Sequence, residues 1–227
     1  MLARNLAVIV GLVILAPVPA ADVPKPVREN IEWLDVWVPD NGVTDLPRVL
    51  LVGDSITRGY YKDVETRLKG KASVSRLTTS KSLGDPGYIA EVQLVLGATK
   101  FDVIHFNNGL HGWGYTEEQY AKSFPELLAV FRKGAPGAKL IWATTTPVRV
   151  ADKLSEISEK TERVKARNKL AAEVMTSEKI PTDNLFAVLE SHPELYSRDG
   201  VHLNAKGTTA LAEQVAASVS KLLDAGK

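Results

Sequence analysis

Two short stretches of this chain carry side chains suited to nucleophilic chemistry. In "VLLVGDSITRG", Val49 to Gly59, an apolar run stops at Gly53-Asp54-Ser55, residue types that end a strand rather than continue it. A serine at that exit, where the next helix starts, shows its hydroxyl to solvent beside a free backbone N–H able to stabilise an oxyanion. The same residues also suit a helix cap, since Asp54, Ser55 and Thr57 are all capping types. Far along the chain, "DGVHLNAKG" places Asp199 and His202 three positions apart, just ahead of the last helical stretch. A turn there brings both side chains to one side, so that the carboxylate holds the imidazole tautomer and the other ring nitrogen faces outward. Nucleophile, base and orienting acid are the set that acyl transfer through a serine requires.

Residues so far apart need a fold that gathers strand ends. From Pro47 onward the strand-like runs "RVLLVGD", "SVSRLTT", "FDVIHFNNG", "AKLIWATTTP" and "LFAVLE" alternate with longer amphipathic stretches, among them "KDVETRLKG", "GYIAEVQLVLG", "TEEQYAKSFPELLAVFRKG", "KLSEISEKTERVKARNKLAAEVM" and "AKGTTALAEQVAASVSKLLDAG". This alternation predicts βαβ units, hence an α/β fold with a mostly parallel five-stranded sheet covered on both faces. Ligands of such sheets sit at the carboxyl ends of the strands, where Ser55 falls.

Composition narrows the partners. The 227 residues, 44% of them hydrophobic, suffice for one domain with a full core. Lys and Arg number 28 against 27 Asp and Glu, which leaves no basic excess to attract nucleic acid or a charged membrane surface. The absence of cysteine excludes disulfides, thiolate metal sites and a cysteine nucleophile. Arg4, the apolar run "LAVIVGLVILAP" and the small residues of "VPA" ending at Ala20 read as a signal peptide over residues 1–20. The run is short for a bilayer span of about 20 residues, so the expectation is a periplasmic or secreted protein with no membrane attachment after cleavage. Residues 21–46, rich in Pro, Asp and Asn with Trp33 and Trp37, read as an irregular extension packed on the domain that occupies 47–227.

"GDSIT", a glycine turn in "SKSLGDPG" and "DGVHLNAKG" together resemble the SGNH, or GDSL, hydrolase superfamily over residues 47 to 225. The resemblance implies a three-layer α/β/α sandwich of flavodoxin-like type. It also implies Ser55 as nucleophile, His202 as general base and then acid, Asp199 as the acid that orients it, and no cofactor. By the same resemblance the N–H groups of Ser55 and Gly84 belong to an oxyanion hole, although Gly84 or Gly87 also suits a plain turn.

The third block departs from the family pattern. Where the family has Gly-x-Asn-Asp at the exit of the third strand, "FDVIHFNNGLHGW" has Asn107, Asn108, Gly109, His111 and Gly112. Spacing puts His111 in the asparagine's place, with Asn108 the alternative if the loop is shifted. Either side chain can donate to an oxyanion, and either asparagine can instead serve the backbone of the turn.

Arg58 and Trp113 lie near the expected crevice as candidate substrate contacts. The helix holding Arg163, Arg167 and Asn168 is a further candidate for the rim of the crevice, although its charge run reads first as a solvated face. His105, His111, His192 and His202 form no close pair of metal-ligand type, so no metal is expected. His105 reads as a core residue. The expected function is a serine esterase for short acyl esters, foremost O-acetylated carbohydrate, the substrate class being what export and the resemblance imply. A lipase or thioesterase for longer chains, and a binding module with weakened turnover, are the alternatives.

Overall fold

The computed structural model describes residues 26–40 and 45–225; the expected leader, residues 1–20, lies outside them. The elements follow in the order β1 (Leu34–Trp37), β2 (Arg48–Gly53), α1 (Ser55–Arg67), β3 (Ser73–Thr79), α2 (Pro86–Leu96), β4 (Val103–Phe106), α3 (Glu117–Lys122) and α4 (Phe124–Gly134). Then come β5 (Lys139–Ala143), β6 (Arg149–Val150), β7 (Lys153–Ile157), α5 (Lys160–Ser177), β8 (Thr182–Asp183), α6 (Leu185–Leu189), a 3-10 turn at Pro193–Leu195 and α7 (Ala205–Asp224).

The main sheet runs β1-β3-β2-β4-β5-β8, parallel throughout except for the antiparallel edge strand β1. Side chains alternate across β2 between two cores. Val49 and Leu51 pack with residues of α1, α6 and α7, while Leu50 and Val52 pack with residues of α2, α4 and α5. All four are fully buried, each contributing on the order of 1.5–3 kcal/mol, so the strand that delivers Ser55 is held from both faces. The three-layer α/β/α arrangement expected from the sequence is present.

The strand count differs from the expectation: the sheet has six strands rather than five. The additional strand is β1, in the stretch that composition marked as irregular. It pairs along β3 from Leu34↔Thr79 to Trp37↔Arg76, and the Asp35 carboxylate accepts two hydrogen bonds from the Arg76 guanidinium at 3.0 and 3.1 Å. Exposed side chains at Leu34, Val36 and Trp37 hide its pattern.

Three further boundaries move for local reasons. "LFAVLE" is helical, because Asn184 caps α6 by accepting from the Ala187 N–H, while the strand is the preceding Thr182–Asp183 beside β5. The start of "KLSEISEKTERV…" pairs as β7 with β6 in a small antiparallel sheet before α5 begins. "TEEQYAKSFPELLAVFRKG" divides into α3 and α4 at Ser123, with Pro125 in the first turn of α4 where it leaves no hydrogen bond broken.

Chain order places β3 on one side of β2 and β4 on the other. The carboxyl end of β2 is therefore a topological switch point, where the loops leaving neighbouring strands diverge and open a crevice. Residue 55 is the first residue past that strand's cap.

Candidate active site

Gly53 closes β2 because nothing larger fits: a Cβ there would lie 2.1 Å from Thr57 Oγ1. Asp54 is the N-cap of α1, its Oδ1 accepting from the Ile56 N–H at 2.9 Å. The capping role thus falls to Asp54 and leaves the Ser55 hydroxyl free for another partner. Ser55 opens α1, a position whose N–H has no acceptor inside the helix.

That partner comes from the other end of the chain. Ser55 Oγ lies 2.9 Å from His202 Nε2, and His202 Nδ1 lies 2.6 Å from Asp199 Oδ2. The other oxygen, Asp199 Oδ1, accepts from the N–H groups of Val201 and His202, both at 2.9 Å. Burial alone pushes the Asp199 carboxyl up, but the hydrogen bonds from His202 and these backbone N–H groups outweigh it and hold the group below its ordinary value. Asp199 is thus a carboxylate with a fixed orientation.

The turn bearing Asp199 and His202 is braced from two sides. Gly200 has φ +71°, and a Cβ on it would sit 2.3 Å from the Arg149 carbonyl oxygen. The Arg149 N–H in turn donates to the Gly200 carbonyl at 2.7 Å. Past His202, Asn204 caps α7 through the N–H groups of Lys206 and Gly207, and its amide donates to the Glu194 and Tyr196 carbonyls.

The remaining expected residues fall on the loops after β3 and β4. Gly84 lies in the turn before α2, where Asp85 caps the helix, and its N–H makes a long 3.4 Å contact with Ser82 Oγ. A Cβ on Gly84 would lie 3.3 Å from ring atoms of Tyr115. Asn107 and Asn108 are buried and both serve the backbone. Asn107 donates to the Ala143 carbonyl and Thr145 Oγ1, while Asn108 accepts from the Leu83 N–H at 2.9 Å and donates to the Lys81 carbonyl at 2.9 Å. Asn108 thus ties the turn of Lys81–Leu83 to the loop after β4.

His111 is differently placed: it lines a cleft of about 330 Å³ together with Arg28, Glu29, Trp113 and Lys160. Its Nδ1 lies 2.8 Å from Glu29 Oε1. Arg58, three positions after Ser55, has its guanidinium 4.5 Å from the centre of the Trp33 ring. Trp113, the other candidate contact, is flanked by Lys160, Arg163 and Arg167 at 4.7–5.5 Å.

Two groups at the site escape sequence reasoning. Residues 27–33 form part of the rim: the Val27 N–H donates to Tyr115 Oη, Arg28 Nε to Asp85 Oδ2 and the Trp33 N–H to Ser80 Oγ. No local pattern signals contacts spanning so much chain.

Arg167 belongs to no solvated face; it is fully buried. Its guanidinium donates to the carbonyls of Gly109 and His111 at 2.8 Å and of Gly112 at 2.9 Å, which fixes the loop that carries His111. Burial pushes its pKa below the ordinary arginine value. The signal was present in the spacing, since Arg167 falls on the buried stripe of α5 with Val164, Ala171 and Met175. On the same helix Asn168 brackets the β5 exit through the N–H and carbonyl of Thr145. His105, within β4, is fully buried with Nε2 3.0 Å from Asp183 Oδ2.

No protein-family model matches the chain, and no curated protein matches it by sequence. Solved structures do match it by shape. A GDSL-like lipase from Bacteroides thetaiotaomicron superposes with a TM-score of 0.63 at 16% identity, over 80% of this chain and 94% of its own. A carbohydrate acetylesterase family member from Sinorhizobium meliloti gives 0.64 at 18% identity, over 79% and 100%. The aryl esterase of M. smegmatis gives 0.65 at 15% identity, over 78% and 99%.

Proposed function

We propose that this chain, which has the SGNH hydrolase fold, is a secreted serine esterase that removes short acyl groups, foremost acetyl from carbohydrate. The observation that carries the reading is the hydrogen-bonded line Ser55–His202–Asp199, with 2.9 and 2.6 Å links. In that line His202 Nε2 takes the hydroxyl proton as Ser55 Oγ attacks the ester carbonyl, and Asp199 stabilises the imidazolium that forms. The new C–O bond to Ser55 makes a tetrahedral oxyanion. Its donors are the N–H groups of Ser55 and Gly84 and the His111 ring, His111 being preferred to Asn108 because the amide of Asn108 is engaged by Lys81 and Leu83. Collapse of the oxyanion breaks the bond to the alcohol, which leaves with the proton from His202. Water then attacks the acyl-enzyme by the same route and regenerates Ser55.

The short acyl group is supported by likeness of fold. One of the structures of like shape is described as a carbohydrate acetylesterase. Export rests on the leader-like residues 1–20, and among the described residues no helix is long and apolar enough to cross a membrane.

The test is hydrolysis of p-nitrophenyl acetate, butyrate and octanoate, followed by acetate release from acetylated sugars. Preference for acetate supports the reading, whereas preference for octanoate replaces it with a lipase or thioesterase. Sugar binding without turnover of any ester replaces it with a binding module, the alternative that the altered third block motivates.

A further inference from the structure

The segment ahead of β1 reaches both halves of the proposed oxyanion hole. Val27 donates to Tyr115 Oη at 2.8 Å, and the Tyr115 ring lies against Gly84. Two residues on, Glu29 meets His111 Nδ1 at 2.8 Å, with Glu29 39% and His111 13% exposed. The segment is fixed on either side of Glu29, by Arg28 on the buried Asp85 and by the Trp33 N–H on Ser80. The Trp33 ring stands edge-on to the imidazole at 6.4 Å.

From this arrangement we infer that Glu29 is the positioning residue for His111: it aims the ring and supplies the counter-charge that lets Nε2 donate to the oxyanion. The inference rests on the esterase reading. An asparagine amide donates in any state, so a site built on asparagine needs no such partner. An imidazole does. Once its Nδ1–H is given to Glu29, Nε2 carries a proton only when the ring is the cation. The opposite neutral tautomer turns the Nδ1 lone pair onto a carboxylate, which repels it.

The other charged residues nearby are Arg28 and Lys160 on the cleft and Arg167 on the His111 carbonyl, with Asp85 engaged by Arg28 and Glu117 by Arg163 and Arg167. Among the residues lining the cleft, Glu29 is the one acid. The replacement of asparagine by histidine in the third block and the acid at position 29 thus form one device, contributed by two distant parts of the chain.

A thermodynamic cycle separates this role from simple support of the fold. With p-nitrophenyl acetate as substrate, Glu29→Ala is expected to lower kcat about tenfold or more with KM within about twofold, a part of the roughly hundredfold loss expected when an oxyanion donor is removed. Glu29→Ala should cost nothing further once His111 is Ala. In His111→Asn, whose amide needs no counter-charge, it should again cost less than about twofold. A loss that persists in either background, or no loss in the wild type, overturns the inference.

The second readout needs no turnover. Ring ¹⁵N shifts of His111 in the Ser55→Ala protein at neutral pH should show both nitrogens protonated, and Glu29→Ala should abolish that pattern while leaving His202 unchanged. A bare Nε2 beside intact Glu29 overturns the inference even if the enzyme is active. If the ¹⁵N pattern is as expected but no ester is hydrolysed, the esterase reading falls, and with it the oxyanion role.

Discussion

Ser55 and His202, 147 positions apart in sequence, lie within one hydrogen bond of 2.9 Å. The contact exists because α1 and α7 pack side by side on one face of the sheet, each with its N-terminus at the same crevice. Asp54 and Asn204 cap those two helices. Ser55 is therefore the first residue of a helix and His202 lies in the turn just ahead of the cap of another, and Asp199 needs only that turn to reach the imidazole.

Asp199 should matter for turnover far more than for binding. Asp199→Asn keeps the shape but offers an amide to His202 Nδ1 and favours the wrong tautomer. We expect kcat to fall by on the order of 10²–10⁴, with KM little changed, in steady-state kinetics on p-nitrophenyl acetate.

The pH dependence follows from the same pair. Asp199 is held below its ordinary value, so it stays charged across the range in which imidazoles titrate. A folded value below the unfolded one makes the contribution of Asp199 to stability complete above the ordinary carboxylate range. The contribution fades as pH falls through the lowered folded value. The Tm difference between wild type and Asp199→Asn should accordingly be constant at neutral pH and shrink in acid. It should also be modest, because the side chain is half exposed.

Arg167 should govern both the fold and the site. Arg167→Met fills the space but leaves the Gly109, His111 and Gly112 carbonyls without their donor. Buried groups left unpaired cost about 1–3 kcal/mol each, so urea denaturation should show a loss of about 3 kcal/mol or more. Arg167→Lys cannot span three carbonyls with one ammonium and should lose less stability while still disturbing His111.

Gly200→Ala probes the support of the Asp199 turn. At φ +71°, with the Arg149 carbonyl oxygen 2.3 Å from the new methyl, the variant must shift backbone against backbone. A loss of about 1–3 kcal/mol is expected from the left-handed conformation and the clash. A fall in kcat should accompany it as Asp199 and His202 move; Tm and kcat measured on one sample check both.

What the sequence disclosed, and what it concealed, follows from the range of each interaction. Ser55, Asp199 and His202 were legible because strand exits and a turn just before a helix are local patterns, and four of the five expected strands lie where their apolar runs do. The fifth was displaced because "LFAVLE" is equally apolar as helix or strand, and the deciding feature is the single cap at Asn184. β1 was hidden because an edge strand with exposed side chains carries no burial pattern. Glu29 was invisible for a stronger reason: its partner lies 82 positions away, and nothing in its neighbours distinguishes it from a surface acid. Arg167 was misread through its charge, although its place on the buried stripe of α5 was available.

The most direct test of the whole account is hydrolysis of p-nitrophenyl acetate by the wild-type protein and by Ser55→Ala, prepared side by side and matched by circular dichroism. Turnover that falls by about 10³-fold or more in Ser55→Ala is the predicted result, as for removal of any serine nucleophile with the fold intact. Equal rates for the two proteins would contradict the account, because the hydrogen bond between Ser55 and His202 would then be structure without chemistry.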